Sequence, residues 1–129
     1  MDKWFEKNTI GIAHEDERRA IICPFNGDFV ARQVKILKIK KDSTLGNHYH
    51  GYRELFYVFE GRAIYYLENI FTKEKCSVVL QEGDRLIIGA GVAHKVNVSD
   101  GTLMVEATGK AYISPENNDV RYEINWAGI

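Results

Sequence analysis

Short runs of β-branched and aromatic residues recur along this chain and are separated by glycine-containing turn signals. The turn signals fall at residues 26–28, 45–47, 60–61, 81–84, 89–91 and 99–101, and the runs at 19–23, 29–40, 54–59, 63–70, 76–80, 85–88, 94–98 and 102–108. Short strands at such regular spacing are typical of an all-β sandwich or barrel. No internal repeat or linker divides the 129 residues, so we expect one domain from residue 1 to residue 129.

The run at residues 29–40 changes the phase of its apolar residues. Val34 and Ile36 would lie on one face of a strand, whereas Leu37 and Ile39 would lie on the other. The pattern leaves two interpretations open: a β-bulge, or a strand that is covered on both faces.

The two ends of the chain carry apolar residues that need a surface to pack on. Residues 2–7, which include Trp4 and Phe5, are compatible with a short amphipathic turn. The polar tail at 115–129 is predicted to add an edge strand or a dimer contact, since its apolar residues alternate: Tyr122, Ile124 and Trp126. Because edge strands are commonly protected by pairing, we expect a homodimer, and the alternative is that both ends fold back on their own barrel.

Composition excludes several classes of partner. The net charge is −1, from 17 basic and 18 acidic residues, and like charges do not cluster, so neither nucleic acid nor an anionic membrane is expected as a partner. The first residues lack the apolar region of a signal peptide, and no apolar run has the length of a membrane-spanning helix. Cys23 and Cys76 show neither disulfide nor zinc-ribbon spacing. A cytoplasmic protein with reduced cysteines is the expectation.

Two histidines stand two residues apart in the segment GNHYHGYRELFYVFEG at residues 46–61. On a strand, side chains two apart point to the same side, so His48 and His50 should converge. Glu54 would join them if a turn at Gly51 folds the chain back. Imidazole nitrogens with one carboxylate suit a divalent first-row metal. The competing interpretation is two isolated imidazoles, with Glu54 paired to a neighbouring arginine.

The histidine motif and a second motif resemble the two signature motifs of the cupin superfamily. The first is His48-x-His50-x3-Glu54-x6-Gly61, and the second, at about residues 83–97, is Gly83-x5-Gly89-x-Gly91-x2-His94. The resemblance implies a jelly-roll barrel, the double-stranded β-helix of the cupins. It also implies a divalent metal ion (zinc, iron, manganese or nickel) held by four ligands: His48, His50, Glu54 and His94. Asp42, Gly89 and Val98 depart from the family pattern, but none of these changes removes a ligand.

Strand alternation indicates which side chains share a cavity with Glu54. Phe56 and Val58 should lie on its face of the strand, and the intervening residues on the other face. The remaining polar candidates near the motifs are Tyr49, Tyr57, Tyr65 and Lys95.

A finer resemblance concerns the activity. The strings GNHYH at 46–50, DERRAI at 16–21 and VEATGKAYISPENN at 105–118 are similar to small cupins of polysaccharide biosynthesis, including nucleotide-sugar 3,4-ketoisomerases. The resemblance implies an isomerase or epimerase that transfers a proton next to the carbonyl of a keto-sugar or nucleotide-sugar. The metal would polarise that carbonyl, or, without metal, His48 and His50 would be the acid and base. Two alternatives remain: a metal-dependent cupin dioxygenase, and a non-catalytic cupin that binds a sugar or another small molecule.

Overall fold

The described chain is built almost entirely from antiparallel strands. The computed structural model describes residues 3–124. Its elements are β1 (Phe5–Thr9), β2 (His14–Glu15), β3 (Ala20–Ile21), β4 (Gln33–Lys38), β5 (Ser43–Tyr49), β6 (Glu54–Glu60), β7 (Arg62–Asn69), β8 (Lys75–Gln81), β9 (Asp84–Ile88), β10 (Val92–Val98), β11 (Leu103–Thr108), α1 (Pro115–Asn118) and β12 (Val120–Arg121). None of the helices in this part of the chain has the length and apolar character needed to cross a membrane.

Two five-stranded sheets pack face to face. The first sheet has the order β1-β9-β6-β11-β4 and the second β12-β5-β10-β7-β8, while β2 and β3 form a separate small hairpin. The crossing of the chain between the sheets is that of a jelly roll. The all-β cupin fold predicted from the sequence is therefore confirmed.

The main core lies between the two sheets. It is formed by inward-facing residues of both, such as Phe56, Tyr65, Leu67 and Leu86. A second apolar cluster lies on the outer face of the first sheet, where the segment that links β1 to β4 covers it. Its buried members are Phe29, Leu55, Tyr57, Ile87 and Ala107. Strand β6 thus contributes alternate residues to the two clusters, as its sequence predicts.

Strand β4 corrects the interpretation of its phase change. The burial of its residues alternates regularly, so it carries no bulge and is not covered on both faces. Lys35 and Leu37 face inward, whereas Val34 and Ile36 are 52% and 70% exposed on the outer face. The β-branched residues Val34 and Ile36, which normally favour the core, therefore face outward, and Lys35 faces the interior.

The two chain ends also differ from expectation. The N-terminal segment is not an amphipathic turn: Phe5–Thr9 forms an edge strand that pairs with β9. Trp4 and Phe5 pack against the core of their own barrel. The tail does add an edge strand, but it is the pair Val120–Arg121 on β5, and Trp126 lies outside the described residues.

Candidate functional site

The three histidines of the two motifs meet at one end of the barrel. His48 and His94 are directly opposite each other in the β5–β10 ladder, with ring centroids 4.6 Å apart. His50 follows the end of β5, and its ring centroid lies 4.7 Å from that of His48. Glu54 begins β6, and its Oε1 is 3.0 Å from His50 Nε2 and 3.5 Å from His94 Nε2. The structure therefore brings together all four residues that the sequence singled out.

A bulge beside the histidines explains how β5 and β10 approach so closely. Gly46 and Asn47 both have positive φ, 97° and 63°, and the register shifts between His94 and Lys95. A Cβ at position 46 would lie 2.5 Å from the carbonyl oxygen of His94. The residues that the sequence marked as a turn are thus a bulge inside β5, which only glycine permits at position 46.

The C-terminal strap, defined here as residues 111–122, lies against the outer side of the histidines. Asp119 Oδ2 is 3.2 Å from His48 Nδ1, and Asp119 Oδ1 is 3.4 Å from His50 Nδ1. His50 Nδ1 donates to the carbonyl oxygen of Asn118 at 2.7 Å, and His94 Nδ1 donates to that of Val92 at 3.1 Å. Because these contacts use the Nδ1 atoms, the Nε2 atoms of the three rings face the cavity and Glu54.

The arrangement fits a divalent metal ion. The three imidazoles each offer a ligand atom, and these atoms lie within 4.8 Å of one another. Glu54 is 3% exposed, and its Oε1 forms no well-aligned hydrogen bond with another described residue. Metal–nitrogen bonds of about 2.0–2.1 Å would require the more widely spaced nitrogens to move closer together.

The site gives the ionisable side chains unequal pKa values. Burial, followed by the charges of His94 and His50, lowers the pKa of His48 to about 3. Burial likewise lowers the pKa of His94. In His50, burial acts in the same direction, but Glu54, the Asn118 carbonyl and Asp119 together outweigh it and raise the pKa above the ordinary value. Burial opposes ionisation of Glu54, yet the surrounding imidazoles lower its pKa.

The histidines line a cavity of about 110 Å³ inside the barrel. Phe56 lines it, as strand alternation predicts, and Tyr65 does so among the four other polar candidates. Tyr57 lies in the outer apolar cluster, Tyr49 contacts Tyr122 edge to face, and Lys95 is not part of the cavity wall.

Among the cavity residues that were not singled out from the sequence, four carry a charged or amide side chain: Lys35, Glu106, Asn118 and Asp119. The two strap residues lie in a polar tail where no pattern indicates proximity to the histidines. Lys35 is signalled only because it has the same phase as Leu37 and Ile39 in the run at residues 29–40.

A model of the cupin domain family matches residues 35–108, which include all four candidate ligands, and the chain belongs to this family. A search of curated protein sequences found no match.

Solved structures with the same fold span nearly the whole chain. The WlaRB TDP-quinovose 3,4-ketoisomerase from Campylobacter jejuni has a TM-score of 0.78 at 17% identity, with 93% of this chain and 94% of that chain covered. The sugar 3,4-ketoisomerase QdtA from Thermoanaerobacterium thermosaccharolyticum, in complex with TDP, has a TM-score of 0.72 at 20% identity, with 98% and 92% covered. The dTDP-6-deoxy-D-glucose-3,5-epimerase RmlC from Legionella pneumophila Philadelphia 1 has a TM-score of 0.73 at 16% identity, with 91% and 71% covered. At these identities the likeness establishes the fold.

Proposed function

We propose that this cupin is an isomerase or epimerase that transfers a proton next to the carbonyl of a nucleotide-linked keto-sugar. The observation that carries the proposal is the convergence of His48, His50 and His94 on one cavity. The Nδ1 atoms of His48 and His50 also contact the carboxylate of Asp119. The similar structures support the choice of substrate, because two of them are sugar 3,4-ketoisomerases and the third is a 3,5-epimerase of a dTDP-linked sugar. We therefore extend that substrate class to this chain.

Proton transfer next to a carbonyl needs one group that removes a proton and another that supplies one. His48 and His50 suit these roles because their environments push their pKa values in opposite directions. His48 is neutral at physiological pH and acts as the base, while His50, beside Glu54, carries a proton more readily and acts as the acid. Asp119 and the Asn118 carbonyl hold the two rings so that each Nε2 faces the cavity.

The size of the cavity limits which part of the substrate enters. A volume of about 110 Å³ lies well below the 300–1,000 Å³ that is common for ligand pockets. We infer that only the reacting carbons and their oxygens enter the barrel, while the nucleotide stays at its mouth.

A divalent metal ion is the second arrangement that the same side chains favour. His48, His50, Glu54 and His94 would be its ligands, and when bound it would polarise a carbonyl oxygen. An Nε2 atom bound to metal cannot also exchange a proton, so the two arrangements exclude each other at His48 and His50.

The test is deuterium exchange from solvent into TDP-4-keto-6-deoxyglucose, followed by NMR, together with metal analysis of protein purified without added metal. We expect exchange by the wild type, and His48→Asn and His50→Asn should each lower its rate by about 100-fold or more. His14→Asn is the matched control, since His14 is exposed on β2 and away from the cavity.

Exchange that persists in metal-free protein favours the acid–base pair. Loss of exchange on metal removal, with recovery on adding zinc, iron, manganese or nickel, favours the metal arrangement. Binding of the keto-sugar without any exchange would contradict an isomerase and leave a binding protein, whereas oxygen consumption with a diketone substrate would instead indicate a dioxygenase.

A further inference from the structure

The cavity has a second polar wall, one layer of side chains along the strands from Glu54. We call it the inner polar cluster, and it consists of Lys35, Tyr65 and Glu106, all of which line the cavity. Lys35 and Glu106 are opposite each other in the β4–β11 ladder, with Nζ and Oε1 3.3 Å apart. Glu106 also lies opposite Phe56, two residues beyond Glu54 on β6, which places the cluster one layer of side chains along the strands from Glu54.

Tyr65 carries a buried hydroxyl that no described residue satisfies. The side chain is 0% exposed, and its hydroxyl has no hydrogen-bond partner among residues 3–124. Packing against Phe56, with ring centroids 4.8 Å apart, holds the ring in place. A buried hydroxyl without a partner is destabilising, so such a group calls for a ligand or another functional explanation.

Lys35 is placed against the normal pattern of its strand. Its ammonium group faces the cavity while Val34 and Ile36, on either side of it, are exposed on the outer face. Local violations of this kind are expected where function requires them. Glu106 is one neighbour of the ammonium group, and the ring of Tyr112, 4.7 Å away, is another. An ammonium group has three N–H donors, which allows further bonds to a ligand in the cavity.

We propose that Lys35, Tyr65 and Glu106 form the subsite for two neighbouring oxygens of the substrate: the carbonyl oxygen and the hydroxyl group on the adjacent carbon. This inference rests on the proposed function and narrows its substrate to an α-hydroxyketone. Lys35 and Tyr65 donate hydrogen bonds to the carbonyl oxygen, and the carboxylate of Glu106 accepts one from the hydroxyl group.

The subsite accounts for the charge that develops during proton transfer. When the base removes the proton from the hydroxyl-bearing carbon, the C–H electron pair forms the new C=C bond and the carbonyl π pair moves onto the oxygen. Lys35 and Tyr65 then stabilise that negative oxygen. The acid returns a proton to the former carbonyl carbon while the hydroxyl proton passes through Glu106 to the charged oxygen, so the carbonyl moves by one carbon without an oxidant or reductant.

The experiment compares variants of the cluster in the deuterium-exchange assay with TDP-4-keto-6-deoxyglucose, and measures the binding of TDP alone by calorimetry. Lys35→Met should lower the exchange rate by about 100-fold or more, the loss expected for one donor to an oxyanion, and leave TDP binding unchanged. Tyr65→Phe should slow exchange while the melting temperature stays equal or rises, since it removes an unsatisfied group. Lys38→Met is the matched control, because it removes a charge from the exposed face of the same strand.

Lys35→Met leaves the Glu106 carboxylate without its cation and could destabilise the fold. A second variant therefore separates loss of the reaction from misfolding. Lys35→Met/Glu106→Gln removes both charges and should show the same loss of exchange with a normal melting curve. Exchange within a few-fold of wild type in this double variant would overturn the subsite while leaving the isomerase intact. If the wild type itself neither binds nor exchanges a keto-sugar, the proposed function is wrong, and the subsite is wrong with it.

Discussion

At the scale of single residues, Gly46 shows how a turn signal in the sequence can mark a bulge next to a functional site. Its φ of 97° suits glycine, and its α-carbon lies against the carbonyl group of His94. Gly101 has a similar φ of 83°, but a Cβ there would meet nothing within 4 Å. The two glycines therefore separate the effect of backbone conformation from that of close approach.

We predict that Gly46→Ala destabilises the protein more than Gly101→Ala does. Both changes force alanine into a left-handed conformation, at about 1–3 kcal/mol, but only the first also overpacks the β5–β10 contact, at about 1–3 kcal/mol more. Urea unfolding of both variants measures the difference. Equal losses would mean that the bulge has room for a side chain.

The sequence predicts the residues of the site unevenly. His48, His50, Glu54 and His94 are found because two of them share a strand face and all four follow a family pattern. Asp119 is not, because it reaches the histidines through the fold of a polar tail. Lys35 and Glu106 are missed because a lysine or glutamate within a strand normally indicates a solvent-facing position, and the orientation of β4 is decided by its pairing with β11.

At the scale of elements, the strands with strong apolar patterns are predicted, whereas the sequence misses β1 and locates the edge strand of the tail only broadly. Strands β6 to β11 correspond to segments marked in the sequence, since each of them contributes buried apolar residues to the core between the sheets. Strands β1 and β12 are edges that pair mainly through their backbones, and their side chains therefore carry little periodicity. The C-terminal strap likewise depends on single hydrogen bonds.

Asn118 supplies several of these bonds from one buried side chain. Its Oδ1 accepts from the backbone N–H groups of Ile113 at 2.9 Å and Ser114 at 3.3 Å, and its Nδ2 donates to the carbonyl oxygen of Ala111 at 3.1 Å and to the Tyr52 hydroxyl at 3.2 Å.

We predict that Asn118→Ala loosens the strap and destabilises the protein by about 1–3 kcal/mol, because buried groups lose their partners. Native-state hydrogen exchange should be faster at the amide of Ile113, which loses its acceptor. Glu116→Ala, an exposed change in the same helix, is the control and should leave protection unchanged. Unaltered exchange at Ile113 in Asn118→Ala would show that the strap is held by other contacts.

At the scale of the whole molecule, the all-β class follows from turn spacing, but the reason for expecting a dimer has changed. The apolar residues Trp4 and Phe5 pack on their own barrel, and Ile124 is buried, so these parts of the chain ends do not need a partner. The outer face of the first sheet offers another reason. Ile36 and Phe59 are 70% and 41% exposed there, and with Leu103 and Val105 they line one apolar groove.

We predict that this outer face is the contact between two copies of the chain. The wild type should sediment as a dimer at tens of micromolar, and Ile36→Glu should give a monomer with an unchanged melting curve, because it places a charge at the centre of the contact without touching the core. Phe71→Glu is the control: Phe71 is 77% exposed, on the turn between β7 and β8 of the other sheet, so this variant should remain dimeric. A monomeric wild type would contradict the dimer itself. A dimer that Phe71→Glu disrupts and Ile36→Glu does not would place the contact on the second sheet, because each substitution adds the same charge to one sheet only.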